Sequence, residues 1–502
     1  MKQSKVFSLG TNPSLDDLAS VAEGGRKVEF TRTARARVAG ARTRLLRAAG
    51  EGRAIYGVNT GFAELASVRI PDDQLKTLQR NLVLSHACGV GELLSSAEAR
   101  GVLWLRANEL ARGFSGVRPQ LVDAMVRLLN AGVVPAIPSR GSLGASGDLA
   151  PQAHVALMLI GEGNAFFKGR LIQAKDALRR AGVKPVVLEA KEGLALLNGT
   201  QAMQAVGGLA LRRAFFVFEA AQLAGAMSLE AMTGTPVPFD ERLQLLKPHA
   251  GQIACAKELR RLLAGSEIRE SHRENDPRVQ DPYSLRCMPQ VHGAVLDNLN
   301  VSASSVAVEM ASVTDNPIVI GPEVLSGGNF HGQVLSFAYD SAAIVMTALG
   351  NMAERRVFQL ILGQAPGLNI YLAQKPGLES GWMIPQYVAA ALASENKTLA
   401  HPASADSIPS SANKEDFVSM GMWAALKLKQ IVANAAQIVA IELLCAAQGV
   451  DAHQPLKPGR GVAKGLALLR AKAAAARGDE SFSVRMEAAR ELVLSGYFQA
   501  RG

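Results

Sequence analysis

The sequence is poor in cysteine and lacks histidine motifs that hold metal ions. Its four cysteines, within 502 residues, lie far apart, and no two of them form a CxxC motif. A disulfide framework is therefore not expected, and the absence of an HExxH motif predicts no metal site. Aromatic residues make up only 5% of the chain. Alanine, leucine and valine must fill the core, which favours packed helices over a β-sandwich.

Long basic runs and long uncharged apolar runs are also missing. The net charge is +10, but lysine and arginine are scattered along the chain, so no nucleic-acid partner is expected. The longest apolar stretch, residues 431–450, is interrupted by Glu442, whereas a membrane span needs about 20 residues with few or no charges. The first 18 residues contain no apolar segment of signal-peptide length. These features predict a cytoplasmic protein without a membrane partner.

The distribution of helix-breaking residues along the sequence changes near residue 200. Short helical patterns alternate with glycine-rich breaks before this point, and long runs with few helix breakers follow it. These long runs are residues 201–232, 332–362 and 415–450. Helical patterns of more than about 25 residues are typical of bundles. We therefore expect a mainly α fold, with an N-terminal domain at residues 1–200 and a helical bundle at residues 201–502. Short strands are predicted at residues 185–188 and 317–320.

The most informative segment is GSLGASGDLAP at residues 141–151. It is typical of a glycine-rich loop that enters a helix, with Asp148 as the predicted N-cap and Pro151 in the first turn. Such a junction could bind phosphate, but the glycine spacing is GxxGxxG and not the dinucleotide pattern GxGxxG. No GK[ST] follows, which excludes a Walker A loop.

A different chemistry fits the tripeptide Ala145-Ser146-Gly147. The amide nitrogen of Gly147 can attack the carbonyl carbon of Ala145, and only glycine tolerates the twist that this ring closure requires. Loss of water from the ring, and then from the Ser146 side chain, leaves an exocyclic methylidene. The product, 4-methylidene-imidazole-5-one (MIO), is a built-in electrophile, and the N-terminus of the following helix would favour its electron-poor ring. The flanking GSLG and DLAP make this otherwise common tripeptide specific.

This segment resembles the signature of the aromatic amino acid lyase family. Six further motifs, in the family's order, extend the resemblance from residue 56 to about residue 449. They are YGVNTGF (56–62), RNLVLSH (80–86), LLNGTQ (196–201), VQDPYSLR (279–286), GGNFH (327–331), and SENK (394–397) with EDFVSM (415–420). Six motifs in the same order do not arise by chance.

The resemblance implies a fold, an assembly and a reaction. The fold is a long-helix bundle of the fumarase/aspartase-like type, with a smaller N-terminal domain that carries the MIO loop. The assembly is a homotetramer in which each active site takes residues from three subunits. The reaction converts L-histidine into trans-urocanate and ammonia. Covalent capture by MIO improves the amine as a leaving group, and a base removes the β-proton. No external cofactor is implied.

The resemblance also implies roles for single residues. The base is Tyr56, whose pKa, about 10 in a free tyrosine, the pocket must lower. Arg286 is expected to bind the substrate carboxylate, because its planar fork matches two oxygens. Tyr283 and Asn198 would position the amine and the electrophile through hydrogen bonds. Two supporting residues are Gln280, a further hydrogen-bonding group, and Phe330, packed beside the electrophile.

His86 and Glu415 bear on the choice of substrate. A carboxylate accepts a hydrogen bond from an imidazole nitrogen, and the histidine-acting members of the family carry glutamate at the position of Glu415. Glu415 could also serve as a charge at a helix N-terminus. The chain departs from the usual sequence of the histidine-acting members at Lys414, Phe417, Met288 and His292. An ammonia-lyase or 2,3-aminomutase acting on L-tyrosine or L-phenylalanine therefore stays open as the alternative.

Two alternatives come from other classes of protein. A helical scaffold whose electrophile no longer forms is disfavoured, because Ser146 and Tyr56 are both present. A fumarase-type lyase would use a GSSxMPxKxN loop, and residues 410–414 (SSANK) lack its Met-Pro.

Overall fold

The computed structural model describes residues 5–51, 54–62, 67–274, 276 and 278–499, and this part of the chain is mainly helical, as predicted. The helices are α1 (Leu15–Ala22), α2 (Arg32–Gly50), α3 (Leu75–His86), α4 (Ser96–Leu110), α5 (Pro119–Ala131), α6 (Leu149–Leu159), α7 (Ala174–Arg180), α8 (Glu192–Leu197), α9 (Gln201–Ala231), α10 (Glu241–Leu245), α11 (Ala250–Leu262), α12 (Glu267–Ser271), α13 (Tyr283–Arg286), α14 (Met288–Met310), α15 (Gln333–Ile361), α16 (Met383–Leu399), α17 (Gly421–Asp451), α18 (Arg460–Arg470) and α19 (Ser483–Leu494). The strands are β1 (Val6–Ser8), β2 (Lys27–Glu29), β3 (Val90–Leu93), β4 (Val133–Pro135), β5 (Pro138–Arg140), β6 (Asn164–Phe167), β7 (Arg170–Gln173), β8 (Ile318–Ile320) and β9 (Glu323–Leu325).

The described chain forms two compact units that interleave along the sequence. The first unit comprises Met1–Leu209, Ala303–Asp340 and Pro402–Leu426. The second unit comprises Ala210–Ser302, Ser341–His401 and Lys427–Gly502. Four of the dividing points fall inside α9, α14, α15 and α17. The linear division of the chain at residue 200 stays a prediction.

The long helices follow the sequence runs that lack helix breakers. The runs at 201–232 and 332–362 correspond to α9 and α15, which contain 31 and 29 residues. The run at 415–450 becomes helical only at Gly421, the first residue of α17. By length and composition α17 could cross a membrane, but 83% of its most apolar 18-residue window is buried, as in the core helix of a soluble protein.

The small sheets belong to the first unit. β4, β6 and β7 form an antiparallel sheet, β3 pairs with β5, and β1 pairs in parallel with β2. The strand expected at 317–320 is confirmed as β8, which pairs with β9 through the register Val319↔Val324. The strand expected at 185–188 is wrong, because these residues have no regular structure. The Val186 N–H donates instead to the Leu159 carbonyl at the end of α6, at 2.9 Å.

Two helices of the first unit position the loop that contains the tripeptide. Residues 141–148 connect β5 to α6, and residues 198–200 connect α8 to α9. α6 packs against α8 and α3, and its residues Ala153 and Val155 are fully buried. The loop that starts α6 and the loop that ends α8 are therefore held close together.

Candidate active site

The backbone of the candidate loop has an unusual conformation. Ser146 and Gly147 have φ angles of +51° and +81°. The Gly199 N–H donates to the Ser146 carbonyl at 3.1 Å, and the Asp148 N–H donates to the Gly199 carbonyl at 2.8 Å. These bonds hold the tripeptide that begins at Ala145 against the loop between α8 and α9.

Position 147 has no room for a side chain. A Cβ on Gly147 would meet the backbone carbonyl of Gly199, and a Cβ on Gly144 would meet the hydroxyl of Ser419. Backbone atoms cannot swing aside as the end of a flexible side chain can. Glycine is thus required at 147 by steric contact as well as by φ. Ser146 is thus in the left-handed region, and the Gly199 backbone approaches position 147 as closely as only a glycine permits.

Asp148 connects the same loop to α9 through hydrogen bonds. Its carboxylate is fully buried, and it accepts from the Ser142 hydroxyl at 2.9 Å and from the Met203 N–H at 2.8 Å. Burial raises the pKa of Asp148 to about 6, although these hydrogen bonds oppose the shift. The sequence placed Asp148 correctly at the N-cap of α6, but the expected capping bond is absent from its side chain. The carboxylate ties the loop to α9 instead.

Glu415 contacts the tripeptide directly. The Ser146 hydroxyl donates to Oε1 of Glu415 at 3.1 Å, and the Ser410 hydroxyl donates to Oε2 at 3.1 Å. Ser410 and Glu415 also exchange backbone hydrogen bonds of 2.9 and 3.3 Å. Glu415 therefore belongs to a bridged loop before α17 and not to the first turn of that helix. The interpretation of Glu415 as a charge in that first turn is wrong.

His86 is the last residue of α3 and is half-buried. Its Nδ1 lies 3.0 Å from the Ser85 hydroxyl. Burial lowers the pKa of His86, and the negative charge of Glu415 partly opposes this shift. A lowered pKa keeps the imidazole neutral near pH 7, so one ring nitrogen can accept a hydrogen bond.

Asn198 is fixed by a buried charged cluster. Its Nδ2 donates to the Asn316 carbonyl at 2.7 Å. The same carbonyl accepts from Nζ of Lys191 at 3.1 Å, and Nζ also donates to both carboxylate oxygens of Asp315 at 2.7 and 2.9 Å. The side chains of Lys191 and Asp315 are 0% exposed. Such a desolvated pair is stable only when its hydrogen bonds are satisfied, and this requirement fixes the geometry around Asn198.

This supporting cluster was not predicted from the sequence. Arg106 belongs to it as well, because its guanidinium donates to the Asn198 carbonyl and to the side chain of Gln201. The available signal was the presence of Arg106 and Glu109 inside the apolar run of α4, where every residue from Glu98 to Leu110 is buried. Charged residues in such a run require partners elsewhere in the fold.

Tyr56 and Phe330 lie in loops of the first unit. The Tyr56 ring is half-buried and meets the Phe62 ring edge to face, with the centroids 6.2 Å apart. Phe330 is half-buried and precedes α15. The catalytic role of Tyr56 and the packing role of Phe330 stay predictions.

Gln280, Tyr283 and Arg286 belong to the second unit. Gln280 and Tyr283 are exposed, and the Tyr283 side chain lies on a single helical turn, α13. The Arg286 guanidinium stacks over the Tyr283 ring at 4.5 Å. Its Nε is buried and has no hydrogen-bond partner among the described residues. A cationic fork with unused donor capacity beside an exposed phenol suits an anionic ligand.

Metal binding has no candidate cluster in the described part of the chain. No three histidine, cysteine, aspartate or glutamate side chains there lie close enough to share a metal ion.

Comparison with known sequences and structures agrees with this geometry. The profile of the aromatic amino acid lyase family matches residues 14–471. The chain belongs to the aromatic amino acid lyase family. A curated relative, histidine ammonia-lyase from Sorangium cellulosum, is 51% identical over 499 residues, which cover 97% of each chain.

Two solved structures show the family fold. Histidine ammonia-lyase from Trypanosoma cruzi is 39% identical, has a TM-score of 0.91, and is matched over 98% of this chain and 94% of that chain. A tyrosine aminomutase mutant is 35% identical, with a TM-score of 0.93 and coverage of 98% and 97%. As a member of the aromatic amino acid lyase family the protein is an enzyme, and the mainly helical fold that the resemblance implied is confirmed.

Proposed function

We propose that the enzyme eliminates ammonia from L-histidine and forms trans-urocanate. The observation that carries this proposal is the contact between Glu415 and Ser146. The charge of Glu415 also acts on His86, whose pKa burial lowers. A carboxylate next to the reacting tripeptide can accept a hydrogen bond from the substrate imidazole. Relatives about half identical to the chain are histidine ammonia-lyases, which supports this choice of substrate.

The reactive group in this proposal is MIO, formed from Ala145, Ser146 and Gly147. The left-handed φ of Ser146 and the close approach of Gly147 to Gly199 support ring closure at this place. The group supplies an electrophile that captures the amine and makes nitrogen a better leaving group. No external cofactor is required.

The side chains divide the remaining work. Tyr56 removes the β-proton, and Arg286 holds the substrate carboxylate through its planar fork. Asn198, fixed through the Asn316 carbonyl, and Tyr283 position the amine and the electrophile. Gln280 supplies a further hydrogen bond, and Phe330 packs beside the electrophile.

The assembled state is part of the proposal. We infer a homotetramer in the cytoplasm, in which each active site takes residues from three subunits. The exposure of Gln280 and Tyr283 within a single chain supports this arrangement. Sedimentation of the active enzyme should give the tetramer mass, and a monodisperse active monomer would contradict the proposal.

The decisive experiment compares substrates directly. The enzyme is incubated in parallel with L-histidine, L-tyrosine and L-phenylalanine, while the ultraviolet absorbance of the conjugated alkene is followed and the products are separated. Urocanate from L-histidine alone supports the proposal. A conjugated acid or a β-amino acid formed only from tyrosine or phenylalanine would favour the alternative. Intact mass is measured on the same preparation, and the loss of two waters is the signature of ring formation and dehydration.

A further inference from the structure

Arg356 lies at the centre of a buried polar network in the second unit. Its side chain is 0% exposed. Nε and Nη2 donate to Oε1 and Oε2 of Glu442 at 2.5 and 2.9 Å. Nη1 donates to the backbone carbonyl of Ser284 at 3.2 Å. One guanidinium thus joins α15 and α17 to the short turn α13.

The neighbouring groups fix the orientation of this guanidinium. The Ser228 hydroxyl donates to Oε1 of Glu442 at 2.8 Å. Nη1 of Arg356 lies 3.4 Å from Nε2 of His292, and Nδ1 of His292 contacts Oε1 of Gln222. Because an amide oxygen only accepts, these partners assign the proton to Nδ1 and leave Nε2 as the acceptor. Burial, together with the charge of Arg356, lowers the pKa of His292 well below its usual value, so the ring is neutral.

The turn that receives the third contact has little stability of its own. α13 contains four residues, and one helical turn does not maintain its shape without tertiary contacts. It is anchored by the fully buried Leu285 and by the Ser284 carbonyl, which accepts from Arg356. Tyr283 and Arg286 flank these anchors directly, so a displaced turn displaces both side chains.

We propose that Arg356, held by Glu442 and His292, is a positioning residue for the substrate-carboxylate site at Arg286. The inference rests on the proposed function, in which Arg286 binds the carboxylate. A guanidinium suits this task because two of its nitrogens satisfy a carboxylate while the third reaches a carbonyl. Lysine at this position offers a point charge and cannot reproduce that three-way geometry.

Two variants test the proposal. Arg356→Lys keeps the charge but loses the fork. The double variant Arg356→Leu/Glu442→Leu removes both charges together, since removal of one partner alone leaves an unpaired buried charge that destabilises the fold. Kinetics are measured on the amino acid that the wild-type enzyme deaminates. Inhibition is measured with the amine that lacks only the carboxylate, which is histamine when the substrate is L-histidine.

The two ligands separate positioning from stability. We expect KM for the amino acid to rise about tenfold or more, and the inhibition constant of the amine to rise less, by about twofold at most, because the amine shares the Tyr283 contact but has no carboxylate for Arg286 to hold. A matched control is Arg470→Leu/Asp451→Leu, which removes a 2.6 Å ion pair of the same unit. This control should lower the thermal midpoint without changing the ratio of KM for the amino acid to the inhibition constant of the amine.

A double-mutant cycle tests whether Arg356 acts through Arg286. Arg356→Lys should have less than about twofold effect on KM when it is combined with Arg286→Leu, because the contact it positions is already gone. Additive losses, equal weakening of the amino acid and the amine, or unchanged KM in both variants would overturn the proposal. If the double variant Arg356→Leu/Glu442→Leu does not assemble, the kinetics of Arg356→Lys alone decide whether Arg356 is a positioning residue.

Failure of the proposed function is recognised separately. Turnover of tyrosine or phenylalanine in place of histidine leaves the test above unchanged, with kinetics measured on that amino acid. Complete failure appears in the wild-type enzyme as no deamination of any of the three. In that case calorimetric affinities of wild type and Arg356→Lys for histidine and histamine give the same ratio and still decide whether Arg356 positions the carboxylate site.

Discussion

The Ser146 hydroxyl lies 3.1 Å from a carboxylate oxygen of Glu415, although 269 positions separate the two residues in the sequence. Ser410 holds the second oxygen of that carboxylate at 3.1 Å. The residue that would lose its hydroxyl to form the electrophile therefore touches the residue proposed to bind the imidazole. A ring bound by Glu415 would place the rest of a histidine molecule beside position 146.

Replacement of Ser146 by alanine removes the hydroxyl group that is lost as water in the second dehydration. We expect Ser146→Ala to show no methylidene formation by intact mass and to lose activity by on the order of 10³-fold, since covalent capture of the amine is gone. The helices should persist, because a half-buried hydroxyl with one hydrogen bond contributes about 1 kcal/mol. Circular dichroism checks the fold. Near-wild-type turnover in this variant would contradict the assignment of MIO to residues 145–147.

A pair of glycines separates steric contact from backbone strain. Gly147 and Gly169 have similar φ angles of +81° and +76°. A Cβ at 147 would meet the Gly199 backbone, whereas a Cβ at 169 would meet nothing within 4 Å. Both alanine variants carry the left-handed penalty of about 1–2 kcal/mol. We expect Gly147→Ala to lower the thermal midpoint further than Gly169→Ala and to block dehydration in the intact mass. Equal midpoints with normal dehydration would contradict the steric argument.

The long helices could be predicted from sequence because they depend on local composition. Alanine- and leucine-rich runs without proline gave α9 and α15 nearly residue for residue. The late start of α17 could not be predicted. Ser411 and Ala412 have φ angles of +48° and +52°, a conformation that such residues rarely adopt and that tertiary contacts must impose.

The candidate site was predictable where chemistry resides in a contiguous motif. The tripeptide at 145–147 and the glutamate at 415 are read directly from the sequence. The buried pair of Lys191 and Asp315 was not predictable, because its partners are 124 positions apart and their pairing depends on the fold. The same reason applies to Asp148, whose position was predicted while its partner, the Met203 amide on α9, was not.

Glu230 should make stability depend on pH. Its carboxylate is buried and accepts from the Gly459 N–H at 2.8 Å, and burial raises its pKa from 4.5 to about 7. A carboxyl with a raised folded-state pKa contributes stability that is complete below pH 4.5 and is lost as the pH rises through about 7.

The variant Glu230→Gln removes this dependence while keeping the size of the side chain. Between pH 4.5 and 7 the thermal midpoint of the wild type should fall relative to that of Glu230→Gln, by the equivalent of about 3 kcal/mol at most. Thermal unfolding of both proteins across this range checks the expectation. A constant difference between the two midpoints would show that Glu230 keeps an ordinary pKa in the folded enzyme.

The substitution Glu415→Gln decides between histidine and tyrosine as the substrate. If Glu415 binds the imidazole, the variant exchanges a charge-assisted hydrogen bond of about 1.5–3 kcal/mol for a neutral one of about 1 kcal/mol. Glutamine still accepts through its carbonyl oxygen, so histidine turnover should fall modestly, by up to about 30-fold in kcat/KM.

Glu415→Ala should reduce histidine turnover further than Glu415→Gln does, because a desolvated imidazole nitrogen is left without a partner. A loss of interaction that strengthens during elimination lowers kcat, whereas a loss of uniform binding raises KM. If tyrosine were the substrate, Glu415 would face a phenol ring, and Glu415→Gln would be neutral or would improve activity, because a charge near the ring disappears. Steady-state kinetics, measured separately on histidine and on tyrosine, show whether Glu415→Gln lowers or raises the turnover of each. A loss confined to histidine supports the proposed function, and a gain on tyrosine without detectable histidine turnover would refute it.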